Sequence, residues 1–228
     1  MIDHAHDLAC VRDATDRLLR AVARLDNASL AEPSRLPGWT RGHVLAHLAR
    51  NADALANVLE GRPMYASAAA RDADIEDGAA RPLDVQLADL RESADRFRAA
   101  GDAPADWTRT VELRNGVTDA AARLPFRRWV EVELHHVDLG IGYELADAPA
   151  EFLERETGFL AERFSGNPDV PPTRITDGTH AWDTGRAVDK PEVTVSGPAA
   201  ELVGWLAGRR DGSGLTAEGG ELPKLPPL

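Results

Sequence analysis

Hydrophobic residues recur at intervals of three and four in several separate stretches of the chain, which is typical of helices that bury one face. The clearest stretch opens at Pro82 and ends at Gly101. Its apolar positions are Leu83, Leu87, Leu90, Ala94 and Phe97. Similar spacing predicts helices over residues 4–25, 40–60, a segment that contains 128–139 and ends near Gly140 or Gly142, and 150–164.

The character of the sequence changes after the turn residues at positions 165–168. Residues 173–176 and 193–196 have the β-branched composition of short strands, and residues 199–208 follow Gly197-Pro198 as a further helix. The proline spacing of residues 222–228 predicts an extended tail. We therefore predict a mainly α protein, with a helical bundle in residues 1–166 and a small α/β domain in residues 167–228.

One long segment fits neither pattern. Residues 61–81 show no sustained periodicity, and they would form an unusually long loop inside a compact bundle. Loops of that length are more often functional or mobile than idle. We therefore expect residues 61–81 to be an irregular segment that is functional or mobile.

The charge balance restricts the possible partners. The formal net charge is −12, which argues against binding to nucleic acid or to an anionic membrane, because both need clustered cations. Cys10 is the only cysteine, so an intrachain disulfide and a cysteine-rich zinc site are excluded, and a buried structural thiol is expected. No signal peptide or long apolar run is visible. The sequence predicts a soluble cytoplasmic protein.

A helix through residues 128–139 would place Arg128, Glu131, His135 and Asp138 along one side. Glu131 and His135 are one turn apart, so a carboxylate and an imidazole can reach the same point. That is part of a site for zinc or a similar divalent ion, which needs at least one more ligand. An ordinary surface pair at this spacing, worth only about 0.2–0.5 kcal/mol, is the alternative interpretation.

The missing ligand would have to come from another helix. His43 and His47 lie on one stripe of the second predicted helix, and helical bundles build metal sites from side chains on facing helices. Apolar neighbours of Glu131 indicate a buried helix whose polar side chains need partners. Asp138 could then orient an imidazole, with Arg128 as a further support.

Four segments of the sequence together resemble one family. They are residues 36–53 (LPGWTRGHVLAHLARNAD), residues 65–75 with Arg71-Asp72-Ala73-Asp74-Ile75, the stripe within residues 128–139, and residues 197–209. This set is similar to the mycothiol-dependent maleylpyruvate isomerase family of actinobacteria, within the DinB-like metalloprotein superfamily. The resemblance covers most of the chain, in order.

The resemblance implies a DinB-like up-down helical bundle and a zinc ion held by three residues. These are His47 rather than His43, together with Glu131 and His135, so Glu133 and His136 are expected to take no part in the site. It also implies that an arginine after the last helix contacts the substrate. Arg209 matches best, with Arg210 as the alternative.

The resemblance further implies a reaction that uses mycothiol, a low-molecular-weight thiol. The thiolate would add to the cis double bond of maleylpyruvate, and rotation followed by thiolate elimination would give fumarylpyruvate. Two alternatives stay open: a mycothiol-dependent S-transferase that acts on another electrophile, and a non-catalytic binding protein of the same superfamily.

Overall fold

The computed structural model describes residues 2–103, 105–187 and 190–227, and the chain folds into two compact units, Met1–Tyr143 and Glu144–Leu228. The first unit is helical with one small hairpin, and the second combines helices with a four-stranded sheet. The predicted fold class, a mainly α chain with a helical bundle followed by a small α/β part, is confirmed.

The first unit contains six α-helices and a two-stranded hairpin within its described residues. The helices are α1 (His4–Val22), α2 (Asn27–Leu30), α3 (Arg41–Leu59), α4 (Ala68–Ala79), α5 (Leu83–Asp102) and α6 (Leu124–Asp138). The strands are β1 (Thr110–Glu112) and β2 (Thr118–Ala120), which pair antiparallel. The predicted helices at about 4–25, 40–60 and 82–101 correspond to α1, α3 and α5.

Four long helices of this unit form a closed ring in which α1 packs on α5, α5 on α3, α3 on α6, and α6 on α1. The apolar stripes seen in the sequence face the centre of the ring. Leu18, Leu48 and Phe97 are each at most 1% exposed, and Trp129 of α6 is the largest of the fully buried side chains. Burial of such stripes supplies most of the stability of short helices in water.

The second unit consists of two α-helices, a short 3-10 helix (Leu145–Asp147) and a mixed sheet within its described residues. Its elements are α7 (Ala150–Phe164), β3 (Thr173–Thr176), β4 (Ala181–Thr184), β5 (Val193–Ser196), α8 (Ala199–Leu206) and β6 (Thr216–Glu218). The strand order is β4-β3-β5-β6, with β3 and β5 parallel and the outer pairs antiparallel. Both strands predicted from the sequence, 173–176 and 193–196, are confirmed.

Helix α7 packs on α8 and on β4, so it belongs to the second unit. The chain passes from the first unit to the second between Tyr143 and Glu144, earlier in the sequence than the boundary predicted after residue 166. The sequence could not show this, because the apolar stripe of a helix does not indicate which neighbours will cover it. The prediction that residues 1–166 and 167–228 are separate domains stays a prediction.

The expectation of an irregular segment over residues 61–81 was wrong, because most of that segment is helix α4. Ser67 caps the helix by accepting a hydrogen bond from the backbone nitrogen of Ala70 at 3.0 Å. Only Ile75 and Gly78 are buried among its described residues. A helix with so narrow a buried face shows no apolar stripe in the sequence.

Two glycines bring α4 unusually close to α3. A Cβ atom at Gly42 of α3 would clash with the carbonyl oxygen of Ala79, and one at Gly78 of α4 would lie 2.8 Å from the Cβ of Ala46. Gln86 of α5 donates from Nε2 to the carbonyl oxygen of Ala79 at 3.1 Å and so fixes the end of α4. The last turn of α4 is thereby held against the first turns of α3.

Other departures from the sequence predictions concern short features. The hairpin β1–β2 and the strands β4 and β6 have only three or four residues each, too few to show periodicity. Cys10 is half-buried rather than buried, and its sulfur lies 3.5 Å from Nε2 of His6. Among the residues that the structure describes, no helix combines the length and apolar character needed to cross a membrane.

Candidate metal centre

His47, Glu131 and His135 come together where α3 meets α6, although 84 residues separate the first two in sequence. Their ligand atoms all lie within 4.8 Å of one another. Oε2 of Glu131 is 3.0 Å from Nε2 of His47 and 3.2 Å from Nε2 of His135. The imidazole rings meet edge to face, with their centroids 4.7 Å apart. The structure therefore brings together all three residues that the sequence analysis named as metal ligands.

Asp138 holds the ring of His135 from its far side. Oδ2 of Asp138 lies 2.8 Å from Nδ1 of His135, and the Asp138 side chain is only 1% exposed. A carboxylate at this position accepts a hydrogen bond from Nδ1–H, which keeps the proton on Nδ1 and directs the lone pair of Nε2 towards the point shared with Glu131. This is the contact that the helical spacing predicts for Asp138.

Burial and mutual hydrogen bonding shift the pKa values of the three candidate ligands. Burial lowers the pKa of His47. Burial alone would also lower the pKa of His135, but its hydrogen bonds to Asp138 and Glu131 outweigh that effect and raise it. For Glu131, burial would raise the pKa, but hydrogen bonds from His135 and His47 hold it well below its ordinary value. Without a metal, these shifts favour an ionised Glu131 and make His135 the more basic of the two imidazoles.

Arg128 locks α6 against α3 directly beside this cluster. Its Nη1 donates to the carbonyl oxygen of Leu48 at 2.9 Å and to Oδ1 of Asn51 at 2.8 Å. The side chain is 1% exposed, and burial lowers the pKa of its guanidinium to about 10, so the group stays charged at neutral pH. Since Leu48 follows His47 directly, this contact fixes the position of His47 relative to Glu131.

His43, the other histidine of α3, has a different task. Its Nδ1 accepts a hydrogen bond from the backbone nitrogen of Thr40 at 3.2 Å, while the Thr40 side chain accepts one from the backbone nitrogen of His43. This reciprocal arrangement is a capping box at the start of α3. His43 does not belong to the ligand cluster, which agrees with the choice of His47 over His43.

Glu133 and His136 lie on the opposite side of α6 and are buried, at 1% and 3% exposure. The carboxylate of Glu133 accepts hydrogen bonds from Arg17 of α1, from Trp129 and from Tyr143. His136 stacks on Tyr143, with the ring centroids 4.0 Å apart. Neither residue is in the ligand cluster. Both are buried and make contacts in the core, which their sequence positions did not predict.

A cation from α4 reaches the cluster and was missed by the sequence analysis. Nη2 of Arg71 lies 3.2 Å from Nδ1 of His47, and its guanidinium is 6.0 Å from the ring centroid of Tyr65. Burial raises the pKa of the Tyr65 hydroxyl. Tyr65 also lines a cleft of about 630 Å³ between α3 and the β1–β2 hairpin. Arg71 lies within a segment that carries the family resemblance, and this was the one available signal.

The two arginines after α8 differ in their contacts. Arg210 forms an ion pair with Glu201, and its side chain packs against the backbone of Gly204. Arg209 donates from Nη1 to the carbonyl oxygen of Ala207 at 2.8 Å. Both belong to the second unit, so a role for Arg209 in the site stays a prediction.

Two family models match the chain. The description "Mycothiol maleylpyruvate isomerase N-terminal domain" covers residues 11–140, and "MDMPI C-terminal domain" covers residues 147–227. The chain belongs to the mycothiol-dependent maleylpyruvate isomerase family. The boundary between the two matched domains agrees with the division of the structure at Tyr143 and Glu144.

Solved structures from the same family have the same fold. A crystal structure of the mycothiol-dependent maleylpyruvate isomerase is 30% identical in sequence, with a TM-score of 0.87, over 99% of this chain and 97% of that one. A histidine-to-alanine mutant of the mycothiol-dependent maleylpyruvate isomerase is 29% identical, with the same TM-score and coverage. No curated protein matches the chain.

Proposed function

We propose that this chain is a metal-dependent maleylpyruvate isomerase that uses mycothiol, with zinc held by His47, Glu131 and His135. One observation carries the proposal: three metal-ligating side chains converge within 4.8 Å in a chain that matches this isomerase family along both of its domains. The name of the similar solved enzyme supports the substrate and the thiol. A cytoplasmic location stays a prediction.

The donor set fits a catalytic zinc or a similar divalent ion. Two imidazole nitrogens and one carboxylate oxygen are typical ligands of zinc sites that leave a position open for a further molecule. The described residues of this cluster include no thiolate ligand, and Cys10 is not among the three. When bound, the metal would lower the pKa of a coordinated thiol and hold it as the thiolate that attacks the double bond.

Side chains around the cluster hold its ligands in position and supply charge beside it. Asp138 keeps the proton of His135 on Nδ1, which leaves Nε2 available as a ligand. Arg128 holds the backbone of α3 at the position that brings His47 to Glu131. The net reaction converts one isomer into another, so the thiol that adds must leave again unchanged. The protein therefore needs to supply orientation and charge rather than a nucleophile of its own.

Arg209 is proposed to hold a carboxylate of the substrate and to steady the negative charge that develops on thiol addition. Its neighbour is less suited, because the side chain of Arg210 is already paired with Glu201. An Arg209→Gln variant should raise the KM for maleylpyruvate more than an Arg210→Gln variant. The reverse order would transfer the role to Arg210.

The direct test is an isomerisation assay of the zinc-loaded protein with and without mycothiol, following fumarylpyruvate formation and the amount of free thiol. We expect activity that requires thiol but does not consume it, and that is lost in His47→Ala. His43→Ala is the matched control on the same helix and should retain activity. Equal activity without thiol, or in His47→Ala, would contradict the proposal. Steady thiol consumption would instead identify an S-transferase.

A further inference from the structure

The two candidate imidazole ligands are backed by groups of opposite charge. His135 has the carboxylate of Asp138 at 2.8 Å from its Nδ1, whereas His47 has the guanidinium of Arg71 at 3.2 Å from its Nδ1. Metal-binding histidines ordinarily donate from the second nitrogen to a carboxylate or carbonyl oxygen. His47 therefore has the wrong kind of neighbour for a ligand, and Arg71 needs an explanation.

The hydrogen bonds around His47 specify one arrangement of its proton. Arginine has donors and no acceptor, so Nδ1 of His47 must accept from Arg71. The proton of the neutral ring is then on Nε2, where it is donated to Oε2 of Glu131 at 3.0 Å. In this arrangement, the atom that would bind a metal is occupied by a proton and a hydrogen bond.

A metal on Nε2 of His47 requires the opposite arrangement. The proton of the neutral ring must then sit on Nδ1, where it would face the N–H groups of Arg71. Two donors cannot hydrogen-bond to each other, and the positive charges of metal and guanidinium repel. Arg71 must consequently turn away from His47 when the metal binds, while Asp138 keeps its contact with His135 unchanged.

A guanidinium released in this way is well placed to bind an anion. The Arg71 side chain is only 11% exposed, so it is partly shielded from water, and its second terminal nitrogen contacts Asp72, whose side chain is 61% exposed. The other cation beside the cluster, Arg128, is fully buried and already donates to Leu48 and Asn51. Within the described part of the first unit, Arg71 is thus the cation at the cluster that can exchange its partner.

We propose that Arg71 binds a carboxylate of the substrate beside the metal. Before a metal binds Nε2 of His47, Arg71 instead donates a hydrogen bond to Nδ1 of the same ring. The proposal rests on the proposed function, because maleylpyruvate carries two carboxylates and Arg209 would account for only one. The planar fork of arginine binds a carboxylate through two parallel hydrogen bonds. Arg71 is then a second substrate-binding cation, contributed by the bundle itself.

The first test measures metal affinity without any substrate. Zinc is titrated against a competing chelator in the wild type, in Arg71→Gln and in Arg98→Gln. Arg71→Gln loses the hydrogen bond from Arg71 that keeps the proton of His47 on Nε2. Zinc should therefore bind about two- to tenfold more tightly to this variant. Arg98→Gln is the control with the same charge change, because its side chain lies on α5, is 57% exposed and pairs with Asp95 at 3.1 Å. Zinc affinity that is unchanged or weaker in Arg71→Gln would overturn the proposal.

The second test measures binding of maleate, a simple dicarboxylate, by calorimetry. The zinc-loaded Arg71→Gln protein should bind maleate about ten- to a hundredfold more weakly than the zinc-loaded wild type and Arg98→Gln. Arg71→Lys should fall between them, since lysine keeps the charge but not the fork. The metal-free wild type should show little binding. Equal maleate affinity in the wild type and in Arg71→Gln would overturn the proposal.

Turnover separates this inference from the proposed function. For maleylpyruvate, Arg71→Gln should raise KM by a factor similar to its loss of maleate affinity, with a smaller change in kcat. If the wild type does not isomerise maleylpyruvate and yet binds maleate through Arg71, the proposed function fails and the role of Arg71 stands. If the wild type isomerises it and Arg71→Gln keeps the same KM, the role of Arg71 alone fails.

Discussion

Helix α6 carries two glutamates two positions apart, and the structure places them in opposite surroundings. Glu131 faces α3 and contacts the imidazoles of His47 and His135. Glu133 faces α1 and accepts from the guanidinium of Arg17 at 2.5 Å, the indole of Trp129 at 2.9 Å and the phenol of Tyr143 at 2.5 Å. Both carboxylates accept hydrogen bonds from their neighbours. Only the donors around Glu131 are groups that can exchange their proton for a metal ion.

This difference explains why one carboxylate is a candidate ligand and the other a structural contact. An imidazole nitrogen can exchange its proton for a metal near neutral pH, whereas the donors around Glu133 keep their protons over the same range. Hydrogen bonding to Glu133, after burial, helps to raise the pKa of Tyr143 above its ordinary value, which strengthens that distinction. The identity of the donors, rather than the burial of the carboxylate, separates the two roles.

The largest expected effect is on metal binding in Glu131→Ala. If the free energy of a three- or four-ligand zinc site is shared evenly, loss of one ligand weakens binding by about a hundred- to a thousandfold. Chelator competition with zinc measures this change. Glu133→Ala is the matched control on the same helix and should bind zinc as the wild type does. Similar zinc affinities for the two variants would show that Glu131 and Glu133 do not differ in metal binding.

The second effect is on folding in Glu133→Ala. This variant leaves Arg17, Trp129 and Tyr143 without their shared acceptor. Arg17 is 33% exposed and can regain water, so the free energy of unfolding should fall by about 2–3 kcal/mol rather than more. Urea denaturation of the metal-free protein measures it. Glu133→Gln, which keeps an acceptor oxygen, should lose less, and an unaffected Glu133→Ala would contradict a structural role.

Asp138→Asn tests the support behind His135. An amide can present its NH2 group to Nδ1 or hold the ring less firmly, so zinc affinity should fall by about ten- to a hundredfold. Metal-free stability should change much less than in Glu133→Ala. Zinc affinity equal to that of the wild type would show that Asp138 does not orient the ring.

The pH dependence sharpens the comparison further. The folded pKa of His135 is raised above its ordinary value of 6.5, so its contribution to metal-free stability is complete below about pH 6.5 and is lost as the pH rises through the raised value. The lowered pKa of Glu131 acts in the opposite sense, contributing above its ordinary 4.5 and less as the pH falls towards the folded value.

Zinc must displace the proton on Nε2 of His135, so its affinity should fall by about tenfold per pH unit below the pKa of that residue. Melting temperatures of the metal-free and zinc-loaded protein between about pH 5 and 8 would show the gain from zinc growing with pH. In Glu131→Ala this gain should vanish at every pH. A gain independent of pH in the wild type would argue against His135 as a ligand.

The smallest expected effect is in His43→Ala. Loss of half of the capping box at the start of α3 should lower the free energy of unfolding by about 1 kcal/mol, with no change in zinc affinity. Thermal or urea unfolding combined with chelator competition measures both quantities. A marked loss of zinc affinity would show that His43, and not only His47, serves the metal.

The sequence predicted the ligand pair on α6 because a spacing of four residues translates directly into one helical face. Periodicity could not choose between His43 and His47, since both lie on the same stripe of α3, and the choice came from the family resemblance. The burial of Glu133 could not be predicted either, because two of its three donors, Arg17 and Tyr143, lie outside α6. Arg71 was missed since α4 buries too few residues to show an apolar stripe.

Gly42 of α3 and Gly78 of α4 allow the position of Arg71 to change independently of the metal ligands. The ligands are carried by α3 and α6, while Arg71 is carried by α4, whose distance from α3 is limited by the missing side chains of Gly42 and Gly78. An added methyl group at either position would displace α4, and Arg71 with it, without altering a single ligand. Relatives of this chain could thus acquire new substrates by changing the spacing of two helices around a constant metal site.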